Sequence, residues 1–299
     1  MGTGATNQDH IYRMKYLTLT ALFVSPIHAA LVIEETFSYD AGNLNGRNGG
    51  TGFSSGWSNT RNNPSIVETG LTAGSLASGG GTSRGNAWSG TERQIGSSLS
   101  NAGLTANGSA LWFSAIFDLT NMNVANADLS LSLGTSGFFA GAFGDRENLA
   151  SGEGIGITHS RARVQGVYWS DSDSDTIAER VENDSSLLID GQGGNGNPTQ
   201  ALIVGRIDWG SDDNANETLT LYAPSDNLTL GSPIMAAWEI PALDQSAFDR
   251  IAIQYKDNPQ VDEIRFGSTS ADVLPAAIPE PSSTLLLALG ALGLIRRRR

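Results

Sequence analysis

Asp171, Asp173 and Asp175 stand at alternate positions and are followed by TIAERVE, which places Glu182 twelfth counting from Asp171. Carboxylates at places 1, 3, 5 and 12 are the spacing by which an EF-hand loop gathers hard oxygen ligands around calcium. Two features argue against that loop. The sixth place, where the sharp turn needs glycine, is Thr176, and the preceding VQGVYW alternates like a strand instead of a helix. The expectation is therefore a looser calcium site at Asp171, Asp173 and Asp175, with a solvated acidic loop as the alternative. No other cofactor is expected.

The remaining inventory is thin for catalysis. The chain has no cysteine, which removes disulfides, thiolate nucleophiles and thiolate metal sites together. Of its three histidines, His10 and His28 lie near the N-terminus, leaving His159 in GIGITHSRARVQGVYW. No nucleophile elbow accompanies it, so the reading is a satisfied or solvent-facing histidine and not a triad member. Asp262 and Glu263 are neighbours in VDEIRFG; side chains alternate along a strand, so the two are expected on opposite faces as solubility and turn residues. The glycine-rich runs GGTGFSSGW and DGQGGNGNP lack the lysine of a phosphate loop and read as surface loops. Tryptophans in apolar strands, Trp112 and Trp169, belong to a core, whereas Trp57 and Trp88 lie in Gly/Ser-rich stretches and are the expected sugar-stacking candidates.

The elements that must position these residues are short alternating strands: LVIEETFSY, SALWFSAIFDL, ADLSLSLG, GIGITH, RVQGVYW, ALIVGRIDW, ETLTLYA, DRIAIQY and VDEIRFG. The 36 glycines and clusters of Asn, Asp and Ser punctuate them, and no helix of ten or more residues is expected between the termini. RIDWGSDDNANETLTLYA reads as a hairpin with an acidic tip. The prediction is an all-β, antiparallel two-sheet sandwich of jelly-roll type over residues 30–274, with a short apolar helix at each end of the chain.

Both ends carry addresses. Met14-Lys15, the apolar YLTLTALFVSP and IHAA form the charged, apolar and small-residue regions of a secretory signal, with cleavage after Ala29 or, alternatively, Ala30. Residues 1–29 are thus a leader, and Met14 is the expected true start. MGTGAT also fits a myristoylation pattern, but an acylated chain has no need of the signal behind it. Residues 275–299 hold Pro279-Glu280-Pro281, an apolar run over about 282–295 and Arg296, Arg297, Arg298 and Arg299. The uncharged stretch Thr284–Ile295 would cover about 18 Å as a helix, against roughly 30 Å of hydrocarbon, so it is a weak stop that holds the chain at the inner membrane in transit. The arginines stay on the cytoplasmic side.

The triad, apolar run and arginine block behind a secretory signal resemble the PEP-CTERM sorting signal of Gram-negative bacteria. That resemblance implies signal peptidase and an exosortase as partners during export, then the cell surface or an extracellular matrix as destination. ETFSYDAGNLNGRNGGTGFSSGW near the start, VDEIRFGSTSADVLP near the end and the hairpin between them resemble a concanavalin A-like, LamG-type jelly roll; Ser270 stands where that family has Trp. The fold implies glycan-binding and glycosidase relatives without choosing between them. Glycosidases of this type carry E-x-D-x-x-E on one strand, and no such pattern occurs here.

Removing the leader takes Arg13, Lys15 and Asp9, and removing the tail takes four arginines, leaving 12 basic and 30 acidic residues and a net charge of −18. Such a surface repels nucleic acid and anionic lipid. The expectation is an exported structural or glycan-binding protein, not an enzyme, with extracellular polysaccharide as partner; the alternative is a carbohydrate-active hydrolase or lyase on the same fold. The mature protein is predicted to begin near Ala30 and to lack Arg296–Arg299. Intact-mass spectrometry of protein recovered from the cell surface checks this, and a species that keeps the arginine block refutes tail removal.

Overall fold

Alternation of apolar and polar residues becomes nearly continuous β-structure. The computed structural model describes residues 31–86, 88–120, 128–135, 149–150, 152–160, 162–170, 177–189 and 196–274. The strands begin with β1 Leu31–Glu35, β2 Gly42–Asn43, β3 Ser58–Arg61, β4 Ser65–Val67, β5 Thr72–Ala73 and β6 Leu76–Ala77. There follow β7 Thr82–Arg84, β8 Ser89–Gln94, β9 Ala110–Asp118, β10 Asp128–Gly134, β11 Leu149–Ala150, β12 Gly154–Ser160 and β13 Arg163–Ser170. The last six are β14 Ile177–Leu188, β15 Gln200–Asp208, β16 Glu217–Tyr222, β17 Pro233–Ile240, β18 Arg250–Lys256 and β19 Gln260–Gly267. Two four-residue helices, α1 Ser98–Asn101 and α2 Ser270–Val273, are the α-helices among the described residues. The leader with Ala29 and Ala30, the loop residues Asp171, Asp173 and Asp175, and the tail with its triad, apolar run and arginines lie outside the described residues, as do the expected terminal helices.

Every strand pair is antiparallel. The first sheet runs β17-β16-β15-β9-β19-β7-β4-β2 with β1 also on β19, and the second runs β11-β14-β13-β12-β10-β18-β8-β3. Consecutive strands alternate between sheets at β8, β9 and β10 and again at β18 and β19, the wiring of a jelly roll. The inward positions of both sheets form one core: Leu129, Leu131 and Leu133 of β10 and Ile251, Ile253 and Tyr255 of β18 face Leu111, Phe113 and Phe117 of β9 with Ile203 and Ile207 of β15. Gly205 must be glycine, because a Cβ there would sit 2.1 Å from the Phe113 ring. A smaller apolar cluster on the outer face of the first sheet joins Ile116, Leu202 and Val204 to Leu71, Leu76, Val273 and Leu274.

The glycine-rich GGTGFSSGW does not form the free surface loop its composition predicts. It packs on β1 so closely that a Cβ at Gly52, where φ is +82°, would lie 2.2 Å from the Val32 carbonyl oxygen. What draws it in is a buried ion pair between Glu35 at the end of β1 and Arg93 on β8, with side chains 1% and 0% exposed. The Glu35 carboxylate also accepts hydrogen bonds from the Phe37 amide at 2.8 Å, the Tyr39 hydroxyl at 2.7 Å and Trp57 Nε1 at 2.9 Å. Arg93 spends its other donors on the loop: Nε on the Ser55 carbonyl at 2.8 Å, Nη2 on Asn48 Oδ1 at 2.7 Å and on the Gly49 carbonyl at 2.6 Å. Its guanidinium lies 3.8 Å from the Phe53 ring centroid. Trp57 stacks on Phe37 at 5.7 Å and is buried, which corrects its assignment as an exposed sugar platform. Its indole N–H is consumed by Glu35 and its apolar face fills the core.

Asp262 and Glu263 are also corrected. Both are buried, because β19 bulges: Asp262 faces Ile116 of β9 while Arg265 faces Ser114, and Glu263 takes a left-handed backbone at φ +52°. The bulge falls where the outer partner of β19 changes from β7 to β1.

A buried pair that loses one member leaves an uncompensated charge, at a cost of about 3–5 kcal/mol. Arg93→Met is predicted to destabilise by that amount in denaturant titrations, because Glu35 keeps its burial and loses its cation. Trp57→Ala should cost about 3–5 kcal/mol and Trp88→Ala, at the surface, less than about 1 kcal/mol. Equal costs at the two tryptophans would refute the burial difference.

Candidate functional site

The hairpin of β15 and β16 builds one wall of a cleft. Gly210 opens its tip, where a Cβ would approach the Ala215 carbonyl oxygen to 2.2 Å. Glu217, the first residue of β16, is buried and accepts hydrogen bonds from the amides of Gly210 and, at 3.4 Å, Leu243. Burial pushes its carboxyl above the usual carboxylate range, and those two amide bonds oppose the shift. The segment after α1 docks beside the tip: Trp209 Nε1 donates to the Leu104 carbonyl at 2.6 Å and Gly108 N to the Gly210 carbonyl at 2.7 Å.

These supports bring six polar side chains together. Asn107 Nδ2 donates to Asp213 Oδ1 at 2.7 Å, and Gln245 Nε2 donates to Asn107 Oδ1 at 2.6 Å. The Asp244 amide donates to Glu153 Oε2 at 2.6 Å, and the Ser246 hydroxyl to Asp244 Oδ1 at 2.5 Å. Together with Ala242 and Leu243 they line a cleft of about 510 Å³, open to solvent. That volume is within the range of small-ligand sites. Gln245 is the buried anchor, while Asn107, Asp213, Asp244 and Ser246 are exposed. Three carboxylates, two amides and a hydroxyl are hydrogen-bonding groups suited to a hydroxyl-rich molecule. Among the described residues there is no group of three or more His, Asp or Glu side chains arranged to hold a metal ion.

The residues singled out in the sequence fall elsewhere. Trp88 is half-buried, with Lys256 Nζ 4.5 Å from its ring centroid and its carbonyl accepting from Asn62. It stands apart from the cleft lining. His159 points into the core from β12; Nε2 donates to the Ile189 carbonyl at 2.8 Å, and burial pushes its pKa down, so the ring is neutral. Glu182, twelfth in the EF-hand-like spacing, belongs to β14 opposite Val167 and pairs with Arg180 at 2.6 Å. It is a strand residue with a cation of its own.

The outer face of the second sheet is a second polar surface. Arg180 Nη2 donates to Thr158 Oγ1 at 2.9 Å, which lies 2.7 Å from Ser130 Oγ. Ser130, Ser132, Thr158 and Trp169 are all buried, in contrast to the exposed Asn107, Asp213, Asp244 and Ser246 of the cleft. Of its lining, the acidic hairpin tip was legible in the sequence. Asn107, Glu153, Asp244 and Gln245 were not, since the bonds joining them span 91 to 138 residues of chain.

No curated protein matches the chain. Solved structures with a similar course include a carbohydrate esterase from the Shiga toxin-encoding bacteriophage phi24B, at 13% identity and a TM-score of 0.42 over 81% of this chain and 99% of that one. An alginate lyase from Chlorella virus matches at 7% identity and a TM-score of 0.36 over 80% of this chain and 93% of its own. The PL-14 alginate lyase from Aplysia kurodai matches at 9% identity and a TM-score of 0.41 over 64% of this chain and 84% of its own. Among the described residues no helix is long and apolar enough to cross a membrane. Residues 277–299 match the PEP-CTERM protein-sorting motif, so the chain carries at its C-terminus the signal of exosortase-sorted surface proteins.

Proposed function

We propose that this is an exported protein of the cell surface or extracellular polysaccharide matrix, retained there by binding glycan and not by catalysis. The observation that carries the reading is the solvent-open cleft of about 510 Å³, whose Asn107, Gln245, Glu153, Asp213, Asp244 and Ser246 present donors and acceptors to a sugar's hydroxyls. A site built to hydrogen-bond hydroxyls rejects ligands that lack them, because its own polar groups would lose water without replacement. Sorting agrees with this role: the tail is the signal of exosortase-sorted surface proteins, and the acidic surface disfavours nucleic acid.

The second reading, a carbohydrate-active enzyme, is favoured by the convergence of Glu153, Asp213 and Asp244 from separate segments on one cleft. Glycoside hydrolysis needs two carboxyl groups flanking the scissile bond, and separate segments can supply them. Glycan arrays and hydrolysis assays on mixed polysaccharides, with the mature protein, distinguish the two. Binding without turnover is expected, and Asn107→Ala and Asp244→Ala, both at exposed positions, should each weaken it about tenfold, or about 1.4 kcal/mol. Turnover abolished by Glu153→Gln would establish the enzyme instead. Replacing Pro279, Glu280 and Pro281 by alanine is predicted to leave folding unchanged and to hold the protein in the inner membrane. Cell fractionation reads this, and surface delivery equal to wild type would refute the sorting role.

A further inference from the structure

The bulge of β19 buries more acid than it can neutralise. Arg265 is the cation of the site, 2.6 Å from Glu263 Oε2 and, through Nε, 3.2 Å from Glu34 Oε1 on β1. Asp262, completely buried one residue before, has no arginine. Its partners are neutral: Oδ1 accepts from the Glu263 amide at 2.7 Å and Oδ2 from the Leu71 amide at 2.9 Å. The Ser78 hydroxyl, beside the same carboxyl pair, favours the charged form of both. Leu71 and Ser78 bracket the β5–β6 hairpin, itself closed by the Ser78 amide on the Leu71 carbonyl at 2.9 Å. One end of the strap is therefore bonded to Asp262 and the other lies beside the pair, while Leu71 and Leu76 roof the outer apolar cluster.

We propose that the Asp262–Glu263 pair is an acid-set latch, holding the strap 71–78 closed in mildly acid surroundings and loosening it as the surroundings approach neutrality. With the strap closed, a proton on Asp262 spares the site a second uncompensated negative charge. When that proton leaves, water must reach the carboxylate, and the strap, bonded to it through the Leu71 amide, is the segment that yields. The charged groups around Asp262 agree. Glu263 and Arg265 share its strand, Glu34 of β1 stands opposite Arg265, and Arg84 of β7 stands two residues away in register, opposite Gln260. Asp272 of α2 is committed to Thr269 and Ser268. β9 contributes Ile116 and Ser114, and the strap no titratable side chain.

Burial raises the Asp262 pKa to about 7; bonds from Leu71, Ser78 and Glu263 oppose that rise, and the Glu263 charge adds to it. Once hydrated, an aspartate titrates near 4. The closed form thus binds a proton that the open form does not between about pH 4 and 7, and closure weakens as pH rises through that window. Above pH 7 the dependence levels off.

Hydrogen exchange of the Leu71 amide in the mature protein, corrected for intrinsic rates, reads the latch directly because that amide is bonded to Asp262. Its opening constant is expected to rise about eightfold from pH 5 to 6 and about fivefold more from pH 6 to 7. Asp262→Asn should abolish this slope, whereas Ser78→Ala should loosen the strap at every pH and keep the slope. A wild-type protection factor constant across the window, or a slope retained in Asp262→Asn, overturns the proposal. Should that variant fail to fold, carbon-13 titration of the wild-type Asp262 carboxyl decides: a midpoint near 7 supports the latch and one near 4 overturns it.

Discussion

The Glu35–Arg93 pair organises the N-terminal third of the sandwich. Taking two charges out of water costs several kcal/mol per ion, which geometry must repay. Here four donors surround the carboxylate, and the guanidinium also bonds to the Ser55 and Gly49 carbonyls and Asn48. Those partners lie on β1, β8 and the loop between, so the pair can be satisfied only if the glycine-rich segment lies flat on β1. The glycines permit the approach and the ion pair rewards it. Leu44, Trp57 and Phe37 then complete the core at that end.

The same accounting explains contrasts elsewhere. Glu217, buried without a cation, is held by two backbone amides and fixes the cleft's hairpin wall. Asp262 is held the same way, but its neighbours Glu263 and Glu34 already claim Arg265. With 18 basic residues for 31 acidic ones in the whole chain, not every carboxylate can have a cation. The shortage turns one carboxylate into a structural anchor and leaves another as a site of titration. The exposed carboxylates of the cleft, Asp213 and Asp244, remain in water, where hydrogen bonding to a ligand is open to them.

Export and folding draw on separate parts of the chain. The sorting motif begins at residue 277, beyond β19 and α2; among the described residues Val273 and Leu274 are the last side chains in an apolar cluster. A short apolar run before an arginine block interacts with a bilayer by thickness and charge, neither of which depends on sheet register. The address can thus act on a finished sandwich.

Period-2 alternation made the nine strongest strands legible, because each turns an apolar face to the shared core. The polar strands β8, with SGTERQ, and β14, with IAERVENDSSLL, were not, since their pairing is set by neighbouring strands and not by an apolar stripe of their own. The C-terminal address was legible because an exosortase reads contiguous residues. Trp57 misled because loop composition is a surface signal only when nothing buried attracts the loop, and Glu35 does so from 22 residues away. Asp262 and Glu263 misled because alternation assumes an unbroken register, and the bulge breaks it at the change of partner strand. The sequence by itself determined the two sheets, the apolar core and the C-terminal sorting signal, all of which follow from local periodicity or contiguous motifs. Only the tertiary structure decided which carboxylates are buried, which tryptophan is available and that Asn107, Glu153, Asp213 and Asp244 share a cleft, because long-range pairing sets burial and charge compensation.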